Sequence, residues 1–378
     1  MPQSNNFGFG DDEAMLRDAA RKFFQANCPP DRLHAQVAHD YSIDRPIECI
    51  WDQALWRQIT ELGWTAACVP EAAGGIGMPV VAAVALAEEA GKVAFPSPLI
   101  ATLCSTMVLR ECSSDAATTA LGAVAGGQAL SLAMTNRAGS WDADATDVDA
   151  TGGTLNGTAY FVQDAGKADR LLVKARTANG VGLYLVDPSI EQVTIVPDGI
   201  VDLTRDQAHV QFAHAPAIEL AAPGTGAAIV ERAMPAILAI VSADMVGAGE
   251  WLLQTTAEYA KTRTQFDRTI GFFQAVKHPL VNVMIDVDRA KSLAYAAACA
   301  VDEEPDNAWM LARMAKAAAS DMAAFSANRA VQFHGGIGFT WECYVHLFFK
   351  RQMHNQTLYG DAVYHRAKLA DLLMGAAA

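Results

Sequence analysis

Two short segments of this chain carry residue types that could bind a ligand, and one carboxylate sits where a charge is costly. The first segment is Tyr259-Ala260-Lys261-Thr262-Arg263-Thr264-Gln265-Phe266, followed by Ile270 and Phe273-Gln274. It groups an arginine suited to a phosphate, an aromatic suited to a ring face and a glutamine suited to a base edge. The alternative is a basic helix C-terminus that satisfies its own dipole before a turn. The second segment is Gln332-Phe333-His334-Gly335-Gly336-Ile337-Gly338-Phe339. Three glycines in four positions let a backbone approach a ligand closely; the alternative is a plain helix-breaking turn. It is not a Gly-x-x-x-x-Gly-Lys-Ser/Thr phosphate loop, and no strand precedes it as a classical dinucleotide fold requires. The carboxylate is Asp244, on a stripe of helical spacing with Ile237, Val241 and Ala248. A carboxylate on an apolar stripe is costly unless paired or functional. An arginine or a helix end would satisfy it; left among apolar groups, its pKa would rise towards a value useful to a general base.

The elements that must position these residues fall into three zones. Residues 1–127 read as helical, with apolar residues at three- and four-residue spacing in Ala14 to Ala20 and in Trp51 to Leu62. Cys28-Pro29-Pro30 stops the first helix, and Pro70 to Gly77 breaks the run before a long helix over Pro79 to Lys92. Residues 128–223 read as strands: Ala129 to Met134, Ala159 to Gln163, Arg170 to Lys174, Gly182 to Val186, Val193 to Val196 and Ala208 to Phe212. Asn156-Gly157 signals a hairpin turn, and this spacing of short strands suggests a small sandwich or barrel. Residues 224–378 return to helix through Glu231 to Thr264, Pro279 to Asp302 and Asn307 to Phe333, ending in an Ala-rich stretch that reads as a frayed tail. The class is α+β multidomain: helices, a β insert, then a helical bundle.

Length and composition support that reading. The chain has 378 residues, 52% of them apolar and 19% charged, enough for two or three domains around a large core. Acidic residues outnumber basic ones by 42 to 28, a net charge of −14, which argues against nucleic acid as a partner. No apolar run approaches the ~20 residues of a membrane span. Met1 to Asn6 has no basic and apolar export signal, and the seven cysteines form no C-x-x-C pair. They read as reduced thiols of a cytoplasmic protein, with no metal site in view.

Taken in order, these motifs match a known pattern. Trp56, Leu62, Gly63-Trp64, Pro70-Glu71, Gly74-Gly75-Ile76-Gly77 and Glu88-Glu89 are followed by Leu155-Asn156-Gly157 and Ala168-Asp169, then by the two segments above. Over nearly its whole length the chain resembles the acyl-CoA dehydrogenase family. The resemblance implies a helical N-terminal domain, a β middle domain and a C-terminal four-helix bundle. FAD would lie at a subunit interface of a tetramer, built from identical chains or from two related ones. Arg263, Gln265, Gln274, Gln332, Gly335 and Gly336 would reach the pyrophosphate and adenosine half of FAD, with Phe266 packed beside them. Where the family has Thr-Glu-Pro against flavin and substrate, this chain has Thr135-Asn136-Arg137, so only Thr135 carries over. If Glu231 to Arg263 is one helix, Asp244 and Arg263 lie roughly 28 Å apart. That distance fits an arginine serving the cofactor of a neighbouring subunit.

The family reaction takes the α proton of an acyl-CoA with a carboxylate, while the β hydride goes to flavin N5 and an electron-transfer flavoprotein accepts the electrons. The base is usually the Glu of a Tyr-Glu-Gly-Thr run. This chain reads Leu358-Tyr359-Gly360-Asp361, with Gly360 in its place, and Ile237 at the position a minority of the family uses. Asp244 and Asp361 are the substitutes, Asp361 otherwise reading as a helix cap; Glu342 and His354 are weaker candidates. The implied activity is an FAD-dependent acyl-CoA dehydrogenase or one subunit of it. The alternatives are a non-catalytic FAD-holding partner, or an acyl-CoA oxidase or flavin monooxygenase of the same fold. Gly338 to Glu342, Leu358 to Asp361 and Tyr364-His365-Arg366 resemble the actinobacterial branch that acts on CoA thioesters of steroid side chains. Members of that branch often assemble from two different chains.

Overall fold

The computed structural model describes residues 10–38 and 49–375. The first six residues, read above for an export signal, and the last three, read as a frayed tail, lie outside the described residues. The N-terminal part is helical: α1 (Asp11–Asn27), α2 (Pro30–Val37), α3 (Gln53–Glu61), α4 (Val80–Lys92), α5 (Leu99–Arg110) and α6 (Asp115–Ala125). Pro30 is the first residue of α2, where its missing N–H costs nothing. Asp52 caps α3 by accepting from the Ala54 and Leu55 N–H groups. Nearly every residue of α4 and α5 is buried.

The middle part holds β1 (Leu130–Ala133), β2 (Val148–Thr151), β3 (Thr154–Gln163), β4 (Arg170–Thr177), β5 (Gly180–Val186), β6 (Val193–Pro197), β7 (Gln207–Pro216) and β8 (Ile218–Ala221). They form one eight-stranded sheet in the order β6-β7-β3-β2-β4-β5-β8, with β1 parallel to β4. One hairpin differs from expectation. The β2–β3 turn is made by Gly152 and Gly153, both at positive φ, which a two-residue turn favours. Asn156-Gly157 lies inside β3 at a break in its register with β7. Gly157, at φ +123°, is needed there because a Cβ would meet the Asp147 carbonyl oxygen at 2.2 Å.

The C-terminal part begins with α7 (Gly226–Thr262), a helix of 37 residues, and a short hairpin, β9 (Thr264–Gln265) and β10 (Arg268–Thr269). It continues with α8 (Gln274–Glu303), α9 (Pro305–His334), a 3-10 turn over Gly335–Phe339, α10 (Val345–Asn355) and α11 (Ala362–Met374). Helices α7, α8 and α9 pack on one another, α4 lies along α7, and α10 and α11 lie on α9. The helical architecture around a central sheet is the one expected. Among the described residues α7 alone is long and apolar enough to cross a bilayer, yet 83% of its most apolar window is buried in the protein. Its hydropathy is that of a core helix. Glycines let α4 approach it closely: a Cβ on Gly91 would lie 2.2 Å from the Asp244 carbonyl oxygen, and one on Gly247 2.0 Å from that of Glu88.

Candidate active site

A narrow cleft opens where the sheet meets α5, α7 and the turn before α11. Thr135, Ser140, Trp141, Phe161, Gln163 and Lys174 line it from the sheet side, and Met234, Leu358 and Tyr359 from the helical side. The period of two in β4 decides which of its residues can reach it. Leu171, Val173 and Ala175 pack inside the β core, whereas Leu172 faces the helices, and Lys174 shares that face. Trp141 closes one end against Tyr359, with ring centroids 5.0 Å apart.

Gln163 is held from three directions. Its amide nitrogen donates to the Phe161 carbonyl at 3.1 Å and to Gln207 Oε1 at 2.8 Å. Its Oε1 lies 2.7 Å from His354 Nε2. Both amide hydrogens are thus spent, so His354 must donate from Nε2. Burial pushes the His354 imidazole down to about 4, and it is neutral at physiological pH. His354 therefore positions Gln163.

The carboxylates expected near the chemistry are absent from the lining of this cleft. Asp244 is fully buried in α7, but its surroundings are ionic. Its Oδ1 accepts from Arg351 at 2.6 Å, and its Oδ2 from Arg205 at 2.7 Å and from the Asn355 amide. The two guanidiniums outweigh burial and hold the Asp244 carboxyl below its ordinary range. The expectation of a raised pKa is thereby reversed, because the apolar stripe faces arginines from outside α7. Asp361 is exposed and caps α11, accepting from the Tyr364 N–H at 2.8 Å. Ile237 is buried in the core and Glu342 is exposed on a turn. Gly360, expected at the position of the usual base, has φ +99°, and a Cβ there would lie 2.3 Å from the Tyr364 ring.

The two glycine- and arginine-bearing segments come together at the far end of the bundle. Tyr259 near the end of α7 stacks on His334 at the end of α9, with centroids 4.3 Å apart. Arg263 ends α7, and its exposed side chain has no partner among the described residues. Gln265, Gln274 and Gln332 are also exposed. Phe266 and Asp267 form the β9–β10 turn at positive φ, leaving Phe266 86% exposed. Its ring meets Phe273 edge-on, with centroids 6.1 Å apart, and is otherwise held out to solvent. The conformational demand in the glycine pair falls on Gly335, at φ +63°; Gly336 has open space around it and no positive φ. From Met234 in the cleft to Arg263 is 29 residues of helix, roughly 43 Å. One chain cannot apply both ends to a single ligand of dinucleotide size.

Residues 10–128 match the acyl-CoA dehydrogenase N-terminal domain and residues 224–374 its C-terminal domain. The acyl-CoA dehydrogenase IpdE2 of Mycobacterium tuberculosis is 30% identical over 344 residues, covering 90% of this chain and 91% of the relative. This chain belongs to the acyl-CoA dehydrogenase family. Its fold resembles a variant of the Tcur3481–Tcur3483 steroid ACAD, with a TM-score of 0.85 at 27% identity over 97% of this chain and 98% of the other. It equally resembles a chain of the ChsE4–ChsE5 complex from Mycobacterium tuberculosis, with a TM-score of 0.85 at 26% identity over 98% and 100%. Against the acyl-CoA dehydrogenase motifs, sequence reasoning placed Thr135 at the cleft but missed Gln163, Trp141 and Lys174. Their only signal was position: Gln163 and Lys174 end two of the expected strands.

Proposed function

We propose that this chain is the flavin-holding, base-deficient subunit of a two-chain acyl-CoA dehydrogenase. The observation that carries this is Gly360, where the backbone conformation and the Tyr364 ring exclude the usual carboxylate. Neither substitute offers a free carboxylate to the cleft, since Asp244 is spent on Arg205 and Arg351 and Asp361 on the cap of α11. The base for α-proton removal is then supplied by the partner chain, in its own cleft.

FAD fits the residues present. The unpartnered Arg263, the held-out Phe266 and the exposed glutamines form a surface that suits the diphosphate and adenosine half of a neighbour's cofactor. Thr135, Gln163 and Tyr359 line a cleft that suits a flavin ring in this chain. When bound, FAD supplies hydride acceptance from an acyl-CoA. What the protein does around it is positional: His354 fixes the Gln163 amide, and the Trp141–Tyr359 contact keeps water from one end. An electron-transfer flavoprotein is the expected acceptor. Both solved structures named above carry the names of two chains, and one is called a steroid enzyme. These likenesses favour a second, related chain and a steroid-derived acyl group.

The test is flavin reduction under anaerobic conditions. The chain purified alone should not bleach with any acyl-CoA, and the co-purified pair should. Bleaching by the isolated chain that slows 10²–10⁴-fold in Asp244→Asn or Asp361→Asn, the usual worth of a general base, would overturn the proposal.

A further inference from the structure

Three lysines are buried among the described residues: Lys167, Lys174 and Lys316. A buried ammonium is costly unless its hydrogens are spent. Lys167 meets two carboxylates, 2.7 Å from Asp164 and 2.6 Å from Asp206. Lys316 spends all three hydrogens, on Ser320 Oγ at 2.9 Å and on the Gln356 and Gly360 carbonyls at 3.0 and 2.8 Å. Lys174 differs. Its Nζ makes one hydrogen bond, to the Asp142 carbonyl at 2.9 Å. Two of its three N–H groups have no acceptor among the described residues.

Where those hydrogens point follows from the strand. Lys174 lies on the β4 face turned to the helices and lines the cleft, and it is the one charged residue in that lining. Beside it stand the Thr135 and Ser140 hydroxyls and the Trp141 ring. The carboxylates acting on it, Asp142 and Asp144, are both on the segment between β1 and β2. They only partly offset burial, which lowers its pKa to about 8, so the ammonium is still charged at neutral pH. A charged group buried at a cleft wall with donors to spare is the arrangement of a ligand contact.

We propose that Lys174 is a ligand-binding residue that takes an anionic oxygen, carboxylate or phosphate, of the molecule held in the cleft. This rests on the reading that the cleft holds FAD beside an acyl-CoA. The oxygen then belongs either to the dinucleotide diphosphate or to a second carboxylate on the acyl group. In the second case the substrate class narrows to carboxylated acyl-CoA thioesters.

The experiment measures calorimetric affinities of FAD, butyryl-CoA and succinyl-CoA for the full chain, with its partner if they co-purify. The proteins are the wild type, Lys174→Met, Lys174→Gln and Lys174→Arg. Loss of a charge-assisted hydrogen bond should weaken one arm roughly 10- to 100-fold in the Met and Gln variants, with Arg restoring part of it. Weaker FAD binding assigns the oxygen to the dinucleotide; loss of a preference for succinyl-CoA over butyryl-CoA assigns it to the acyl group. In the wild type that affinity should also fall as pH rises through about 8, while Lys174→Arg stays flat. This series needs no Met variant to fold. Wild-type binding of all three probes retained in both Met and Gln variants overturns the inference alone. A wild type that binds none of the probes overturns the reading of the cleft together with it.

Discussion

The ring of Tyr364 fills the space that a side chain at Gly360 would need. A Cβ on Gly360 would stand 2.3 Å from Tyr364 Cδ1 and 3.0 Å from His365 Nε2. On the proposed reading, the lack of the usual base is built into the packing of α11 as well as into the sequence. Gly360→Glu should therefore fail to install a working base. Left-handed strain and overpacking together should cost about 2–4 kcal/mol, read as a lower urea midpoint. The double variant Gly360→Glu with Tyr364→Ala should recover part of that loss. A single variant as stable as the wild type, and newly able to bleach its flavin, would contradict this account.

Asp244→Asn should be strongly destabilising, by about 3–5 kcal/mol, because it leaves the Arg205 and Arg351 guanidiniums buried against a neutral amide. The pH dependence has a definite sign. The folded carboxyl lies below its ordinary value, so the unfolded chain takes up this proton first as pH falls. The stabilisation is fully present above the ordinary carboxylate pKa of about 4 and is lost as pH falls through the lower folded value. Urea midpoints of wild type and variant should be well separated at pH 7 and converge in strong acid. Equal midpoints at pH 7 would show that the ion pairs contribute nothing.

Asp361→Ala and Asp361→Asn separate a cap from a base. Asparagine caps a helix about as well as aspartate, and alanine does not cap, so Ala should cost about 1 kcal/mol and Asn close to nothing. If both variants instead abolish substrate-dependent bleaching in the assembled enzyme while remaining folded, Asp361 is chemical after all.

What was legible in the sequence follows physical lines. Long helices announced themselves because α1, α7, α8 and α9 are long and bounded by Pro, Gly or Arg-Thr-Gln breaks. Strands β2 and β8 were missed because each has four residues, two or three of them not fully buried, and no alternation survives in so short a run. The hairpin turn was misplaced because Asn156-Gly157 and Gly152-Gly153 carry the same local signal, and pairing with β7 decides between them. Asp244 was found as a buried carboxylate, but its partners come from 39 residues before it and 107 after it. No local pattern encodes them. Lys174 was invisible for the same reason, since only the assembled cleft shows that its donors are unspent.

Arg263→Ala should change stability by less than about 0.5 kcal/mol, because the exposed side chain has no partner among the described residues. If it holds a neighbour's cofactor, the contact is worth about 1.5–3 kcal/mol. The purified assembly should then be paler while its thermal midpoint without flavin is unchanged. Full flavin occupancy in the variant would remove Arg263 from the cofactor site.

His354 links the cleft to acid stability. Its imidazole titrates at about 4 in the folded protein and near 6.5 when unfolded. Between those values the unfolded chain binds more protons, so stability rises with pH across the window and is lost as pH falls through it. The depression corresponds to at most about 3 kcal/mol. His354→Leu removes both this titration and the donor to Gln163 Oε1. The variant should be less stable at pH 7, where the wild-type hydrogen bond is intact, and its stability should fall less steeply from pH 6.5 to 4. His346 and His365 also titrate at about 4, so a residual slope will remain and the difference between the two proteins is the measurement. An identical slope in wild type and variant would mean that His354 is not held neutral, and the tautomer that fixes the Gln163 amide would then have to be abandoned.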